Sequence, residues 1–387
     1  MKCTIGSSIL SCARPAGKAA AEKAKEGVEN AKLAFVYSSV AYDPESLLAG
    51  VKEALPGVPV IGNTSFTGVI TPDGYITGDE GFVGVMLLSG GEFNVGVKGL
   101  AKEGCARDTG KKAAAAAVEN AGASGAPDYF YMVAPPGEEE FFLKGISEVI
   151  GRKPFFGGSA ADNTITGEWK VYTDAGVFAD GVAVAFFYGG EPAVNLFTGA
   201  YRETDDVGII TKVYGNRILA EIDGVPSVKK YAKWRGLEPD ALLGGNLLAA
   251  TITSPLGIKD RLGDLTAIRH PMNGNEDYSM NIGANLAEKT TVIRMEATVD
   301  ELIASASETL KALKAKMAVD PAGFLLVHCG GRRAGIGDRL DEVAEAVKAE
   351  AGDVPFIMQF TFGEYGFEDD GNNTTGGLML SYTGFAK

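Results

Sequence analysis

Three stretches of this chain repeat one another, and that repeat limits its fold more than any other feature. VPVIGNTSFTG at 58–68, KPFFGGSAADN at 153–163 and VPFIMQFTFGE at 354–364 each open an apolar run with a proline and close in a polar turn. An apolar residue of a helical pattern stands eight residues before each proline: Val51 before Pro59, Ile146 before Pro154 and Val347 before Pro355. A further apolar run precedes each helix, at 33–37, 129–133 and 324–328. The repeated unit therefore reads strand, helix, strand, polar turn, which points to an α/β fold. We expect two related halves of mixed β-sheet with covering helices, built from repeated β-α-β units. The division is expected after residue 207, giving 1–207 and 208–387, with the three prolines at matching strand starts.

Composition narrows the function. A length of 387 residues and 45% hydrophobic content allow two sizeable cores. The net charge of -14 argues against nucleic acid and anionic membrane surfaces as partners. No apolar run reaches the ~18–20 residues that span a bilayer, and the first residues read as a strand instead of a signal peptide. Cys3, Cys12, Cys105 and Cys329 form no CxxC pair, so neither a zinc knuckle nor any other metal site or cofactor is expected, and a reducing cytoplasm is the natural setting. Only His270 and His328 are available as imidazole bases, which weakens mechanisms built on a histidine base or triad.

Locally, Asp43-Pro44-Glu45 reads as a helix start, with Asp43 as the cap. Residues 82–88 and 93–97 read as a hairpin turning at Gly90-Gly91. Segments 169–172, 182–188 and 194–198 read as strands of one antiparallel extension. Residues 213–222 read as a hairpin around Gly215-Asn216, 300–316 as a helix, and 371–377 as a hairpin loop.

The runs AFVYSSVAYDPESLLAGVKEALPGVPVIGNTS and FGGSAADN, followed by VYGNRILAEIDGVPSVKKY, AIRHPMNG, LLVHCGGR and PFIMQFTFGE, resemble the FIST family of sensory domains in the family's own order. The resemblance covers nearly the whole chain, with an N-terminal and a C-terminal FIST-like domain. It implies an α/β fold and a role in binding small ligands, amino acids among them, for signal transduction. Kinase, methyl-accepting and cyclase segments are not recognisable here, so the output partner is expected on a separate signalling protein.

Ligands of α/β sheets often bind beyond strand ends, and the polar turns supply the candidates. Asn63, Thr64 and Ser65 end the first copy. Gly158 and Ser159 let a ligand approach the backbone, or simply make a tight turn. Asp162 and Asn163 hold an ammonium group, or form an Asx turn. Arg269 matches an arginine of the family, and Arg332 has the fork geometry for a carboxylate. Glu364 offers a partner for an ammonium group. Cys329 is read as a buried hydrophobe and not a nucleophile, because neighbouring strand residues such as His328 face the other way. The expected function is a cytoplasmic small-molecule sensor for an amino acid or small carboxylate. A hydrolase or transferase using Cys329 or Ser159, and a protein-interaction scaffold, stand as the alternatives.

Overall fold

The computed structural model describes residues 1–190, 192–259, 265–367 and 373–387. Each of the three repeats builds the same unit of strand, helix, strand, helix, strand, hairpin, strand. The first runs through strand Lys2–Ser8, helix Ala13–Lys25, strand Ala31–Ser38, helix Pro44–Ala54, strand Val60–Thr64, hairpin Val69–Thr71/Gly74–Ile76 and strand Val83–Ser89. The second runs from Phe93–Ala101 to Gly181–Gly189, with helices Ala106–Asn120 and Glu139–Ile150. The third opens with Ala193–Thr198, resumes at helix Val299–Lys316 and ends with Leu380–Ala386. The matching of the prolines is visible in the backbone. Pro59 O accepts from Ala34 N at 2.9 Å, Pro154 O from Phe130 N at 3.0 Å and Pro355 O from Phe324 N at 2.9 Å.

Each unit supplies four strands to a six-stranded sheet, and the last two positions come from another unit's hairpin. The first unit's hairpin pairs with the third unit's strand Phe356–Thr361, through Met358↔Ile70. The third unit's hairpin, Glu364–Gly366/Thr374–Gly376, pairs with the second unit's Phe155–Ser159, through Glu364↔Gly158. The second unit's hairpin, Val171–Thr173/Gly176–Phe178, pairs with the first unit's Val60–Thr64, through Tyr172↔Gly62. The exchange is cyclic and closes the three sheets into a prism. Among the described residues, only the strands flanking a crossover helix run parallel, as a β-α-β connection requires.

Inward faces of all three sheets share one core, with Phe35, Tyr131 and Leu325 at equivalent positions. Outer faces are covered by helix pairs. In the first two units the paired helices nearly touch. A Cβ on Gly17 would lie 2.3 Å from Leu47 O, and one on Gly50 2.0 Å from Arg14 O. Gly110 and Gly145 repeat this against Phe142 O and Arg107 O. The third pair instead interdigitates Leu302, Leu310, Val343 and Val347.

Between the third unit's first strand and first helix, residues 202–296 form an eight-stranded sheet carrying helix Ser227–Arg235. The chain is thus mixed α/β in two halves: two units, then a third unit holding this inserted sheet. Residue 207 lies inside strand Arg202–Tyr214. Two expectations about strand pairing are corrected. The strands Val83–Ser89 and Phe93–Ala101 enter different sheets instead of pairing with each other. Likewise Val171–Thr173, Gly181–Gly189 and Ala193–Thr198 go to three different sheets and form no common extension. The expected loop at 371–377 contains strand Thr374–Gly376, and its residues 371 and 372 lie outside the described residues. The cap at Asp43 is present, accepting from Ser46 N at 2.9 Å, as is the hairpin Tyr214↔Ile218. Among the described residues, no helix is long and apolar enough to cross a membrane.

Candidate functional site

The polar turns meet around the axis of the prism, where they join one unit to the next. Phe66 N donates to Phe360 O, Phe362 N to Ser159 O, and Ala161 N to Thr64 O, at 3.0, 3.1 and 2.9 Å. These bonds follow the same cyclic direction as the hairpins. They satisfy backbone groups that would otherwise be buried unpaired.

Around this seam, Asn63 Nδ2 donates to Gln359 Oε1 at 2.8 Å, and Tyr131 OH donates to Asn63 Oδ1 at 3.2 Å. Tyr37 OH lies 3.4 Å from Tyr131 OH. This buried network links all three units, and burial pushes the Tyr131 hydroxyl up to about 12. Thr64 accepts from Lys170 N, and Ser65 donates to Gly68 O. Gly158 is buried against Gly363 and Thr361, where a Cβ would lie 2.8 Å from each.

Other expected ligand groups are likewise engaged by the protein. The Asp162 carboxylate accepts from five successive backbone amides, at residues 164–168, and so organises its own loop. Asn163 Oδ1 accepts from Thr67 N. Arg332 is fully buried; its terminal nitrogens donate to Gly199 O, Leu302 O and Ser305 Oγ. It points into the third unit because its helix, Gly330–Ile336, packs that face inward. Glu364 accepts from Thr361 Oγ1 and Met379 N, and burial pushes its carboxyl up to about 8. The Cys329 thiol accepts from Gly331 N and Leu378 N, and burial raises it far above the ordinary thiol range. His328 Nδ1 lies against the Cys329 carbonyl and its ring against Phe360, so it does not face the sulfur.

Open space lies where the inserted sheet covers the strand ends. A partly enclosed cavity of about 210 Å³ has Phe66, Trp169 and Phe362 on one side and Leu248, Ile252 and Met272 on the other, with Cys329, His270 and Arg217 also in its wall. Phe66 and Phe362 occupy equivalent repeat positions, with rings 5.5 Å apart. A second, polar cleft of about 390 Å³ is lined by Glu140, Lys144, Ser147, Arg152, Arg269, Asn285 and the strand around Thr375.

An ion triad joins the two spaces. Arg217 Nη2 is 2.6 Å from both Glu139 Oε2 and Glu140 Oε2. Its Nη1 donates to Gly283 O, and its Nε reaches Asn285 Oδ1. Glu139 is buried, also accepting from Ser159 Oγ at 3.0 Å and Gly137 N at 2.8 Å. Ser159 in turn bonds Tyr365 OH at 2.8 Å. Burial holds the Glu139 carboxyl above its usual range despite the Arg217 charge.

Of the ten expected ligand residues, Arg269 is the one that lines the cleft, and none lines the cavity. Arg269 Nε donates to Asn285 O, and Nη1 to Ile268 O and Thr375 O, leaving Nη2 without a partner among the described residues. Sequence reasoning missed Arg217, Glu139 and Glu140. Their signal was faint: the acidic run 138–140 reads as ordinary charge at a helix start, and Arg217 as a hairpin residue.

Two solved structures show a remote likeness. Cyanuric acid hydrolase from A. caulinodans aligns at 7% identity and a TM-score of 0.37, covering 100% of this chain and 99% of that one. Phosphoribosylformylglycinamidine synthase II from Thermotoga maritima aligns at 10% identity and a TM-score of 0.23, covering 99% and 71%. Neither likeness is strong enough to bear on the chemistry. No curated protein matches the chain. The FIST N domain matches residues 32–225 and the FIST C domain residues 228–366. With both domains matched in order over most of its length, the chain belongs to the FIST family, whose domains are associated with sensory signal transduction.

Proposed function

We propose that this chain is a small-ligand sensor that takes an amino acid or small carboxylate in the polar cleft and passes the signal to a separate protein. One observation carries the reading: Arg269 and Glu140 bring opposite charges to the same cleft of about 390 Å³, between the second unit and the inserted sheet. Arg269 Nη2, without a partner among the described residues, suits a ligand carboxylate, with Lys144 adding a further positive charge. Glu140 already accepts from Arg217 and from Asn285 N, and its remaining lone pairs suit a ligand ammonium group. Charges at both ends fix a short zwitterion's orientation, each charged hydrogen bond contributing about 1.5–3 kcal/mol. A ligand that bridges the cleft touches both FIST domains, so its binding free energy holds them in one arrangement.

The test is a thermal-shift screen of amino acids and small carboxylates. At ~100 times its dissociation constant a ligand stabilises the fold by about 2.7 kcal/mol, a rise of about 3 °C for a chain this long. Arg269→Gln is expected to remove the rise while leaving the unliganded Tm within about 2 °C. Retention of the full rise in Arg269→Gln, or no rise with any amino acid or carboxylate, overturns the reading.

A further inference from the structure

We propose that the partly enclosed cavity is a second binding site, for a small uncharged molecule with a flat aromatic body of one or two rings and one hydrogen-bond donor. Size is the first argument. At about 210 Å³ the space exceeds the roughly 150 Å³ in which a dry cavity accepts benzene. Its walls are aromatic and aliphatic, from Phe66, Trp169, Phe362 and Ile252, which suit a flat ring.

Charge is the second argument. Among the described residues Arg217 is the one charged side chain in the wall, and it is already shared between Glu139 and Glu140. An anion there would add to two carboxylates around one guanidinium. A cation would meet the guanidinium and no carboxylate in the wall. Either would lose hydration without gaining a free counter-charge.

Polarity is the third. His270 is 4% exposed and lines the cavity, and its Nε2 has no hydrogen-bond partner among the described residues. A Cβ on Gly331, another wall residue, would lie 3.4 Å from His270 Cε1, which places that ring edge at the wall. Burial keeps the ring neutral, lowering it to about 4, with the Leu248 backbone opposing that shift. We assign the Leu248 contact to Nδ1, since Nε2 is the orphaned nitrogen, and in that tautomer Nε2 is an acceptor. A hydroxyl or ring N–H satisfies it, whereas a hydrocarbon leaves it unpaired. This site is separate from the polar cleft and does not depend on the amino-acid reading.

Calorimetric titration of the full chain at pH 7.5 with phenol, indole, toluene and benzoate tests the proposal. Phenol and indole are expected to bind about tenfold more tightly than toluene, although toluene is the more apolar, and benzoate about tenfold more weakly than phenol. His270→Phe is expected to bring phenol and toluene within twofold of each other. Ala334 lines the cavity but is exposed at the surface, so Ala334→Trp is expected to block phenol at no cost to the fold or to the amino-acid response of the cleft. Toluene binding as tightly as phenol, benzoate matching phenol, or phenol binding unchanged in Ala334→Trp would each overturn the proposal. The ligand series in the unaltered protein decides even if His270→Phe does not fold.

Discussion

Arg217→Met tests whether the ion triad couples the inserted sheet to the second unit. The substitution keeps much of the side chain's volume and removes its charge. Glu139, whose side chain is 3% exposed, is then left buried beside Glu140 with no cation. Breaking a buried pair in this way costs about 3–5 kcal/mol. For 387 residues, an unfolding entropy of about 2.1 cal/mol/K per residue gives about 0.8 kcal/mol per degree, so Tm is expected to fall by about 4–6 °C. The sign of the pH dependence follows from Glu139. Its folded carboxyl is already raised by burial, and losing Arg217 raises it further. A carboxyl raised on folding contributes stability at low pH that is lost as pH rises through its folded value. The deficit is therefore expected to be larger at pH 8 than at pH 5.5. Scanning calorimetry of Arg217→Met, Glu139→Gln and the double variant at both values gives the cycle, and the double variant is expected to recover most of the loss. A fall below 1 °C, a deficit that does not change with pH, or a double variant no better than Arg217→Met refutes the reasoning.

Gly50→Ala places a methyl 2.0 Å from Arg14 O and is expected to destabilise by about 1–3 kcal/mol in urea unfolding. Glu364, pushed up from 4.5 to about 8, makes stability fall as pH rises between those two values and level off above the higher one; a Tm series from pH 5 to pH 9 is expected to show that decline in the unaltered protein and not in Glu364→Gln. Native labelling with iodoacetamide is expected to modify exposed Cys12 and Cys105 well before buried Cys3 and Cys329, and mass spectrometry of timed samples reads the order.

The repeat was legible because each copy states its own local chemistry: a proline that starts a strand, a helix eight residues upstream, and a turn. The exchange was not legible. Nothing near Val69–Thr71 or Val171–Thr173 says which sheet each will join, since register and partner are set by packing at long range. The same limit governs the site. Arg332 looked like a clamp because its chemistry is local, but its partners Gly199 and Ser305 are set by the closing of the third unit. Asp162 was ambiguous in sequence between ligand group and turn, and its bonds in the fold all run to its own loop. Arg217 and Glu139 meet only because an inserted sheet folds back over a helix N-terminus.

The cyclic exchange also governs how the chain can reach its native state. Tyr172 bonds Asn63 across 109 residues, Tyr365 bonds Ser159 across 206, and Ser65 bonds Phe360 N across 295. No N-terminal portion emerging from a ribosome can complete the ring, because the second sheet waits for a hairpin near the C-terminus. Until then the edge of strand Phe155–Ser159 stays open and the hairpin at Val69–Ile76 has no sheet to join, and such edges recruit foreign strands. The high contact order makes folding slow and places ring closure at its end. The FIST N and FIST C domains therefore share sheets through the exchanged hairpins, and cutting between them is expected to leave unpaired edges that favour aggregation.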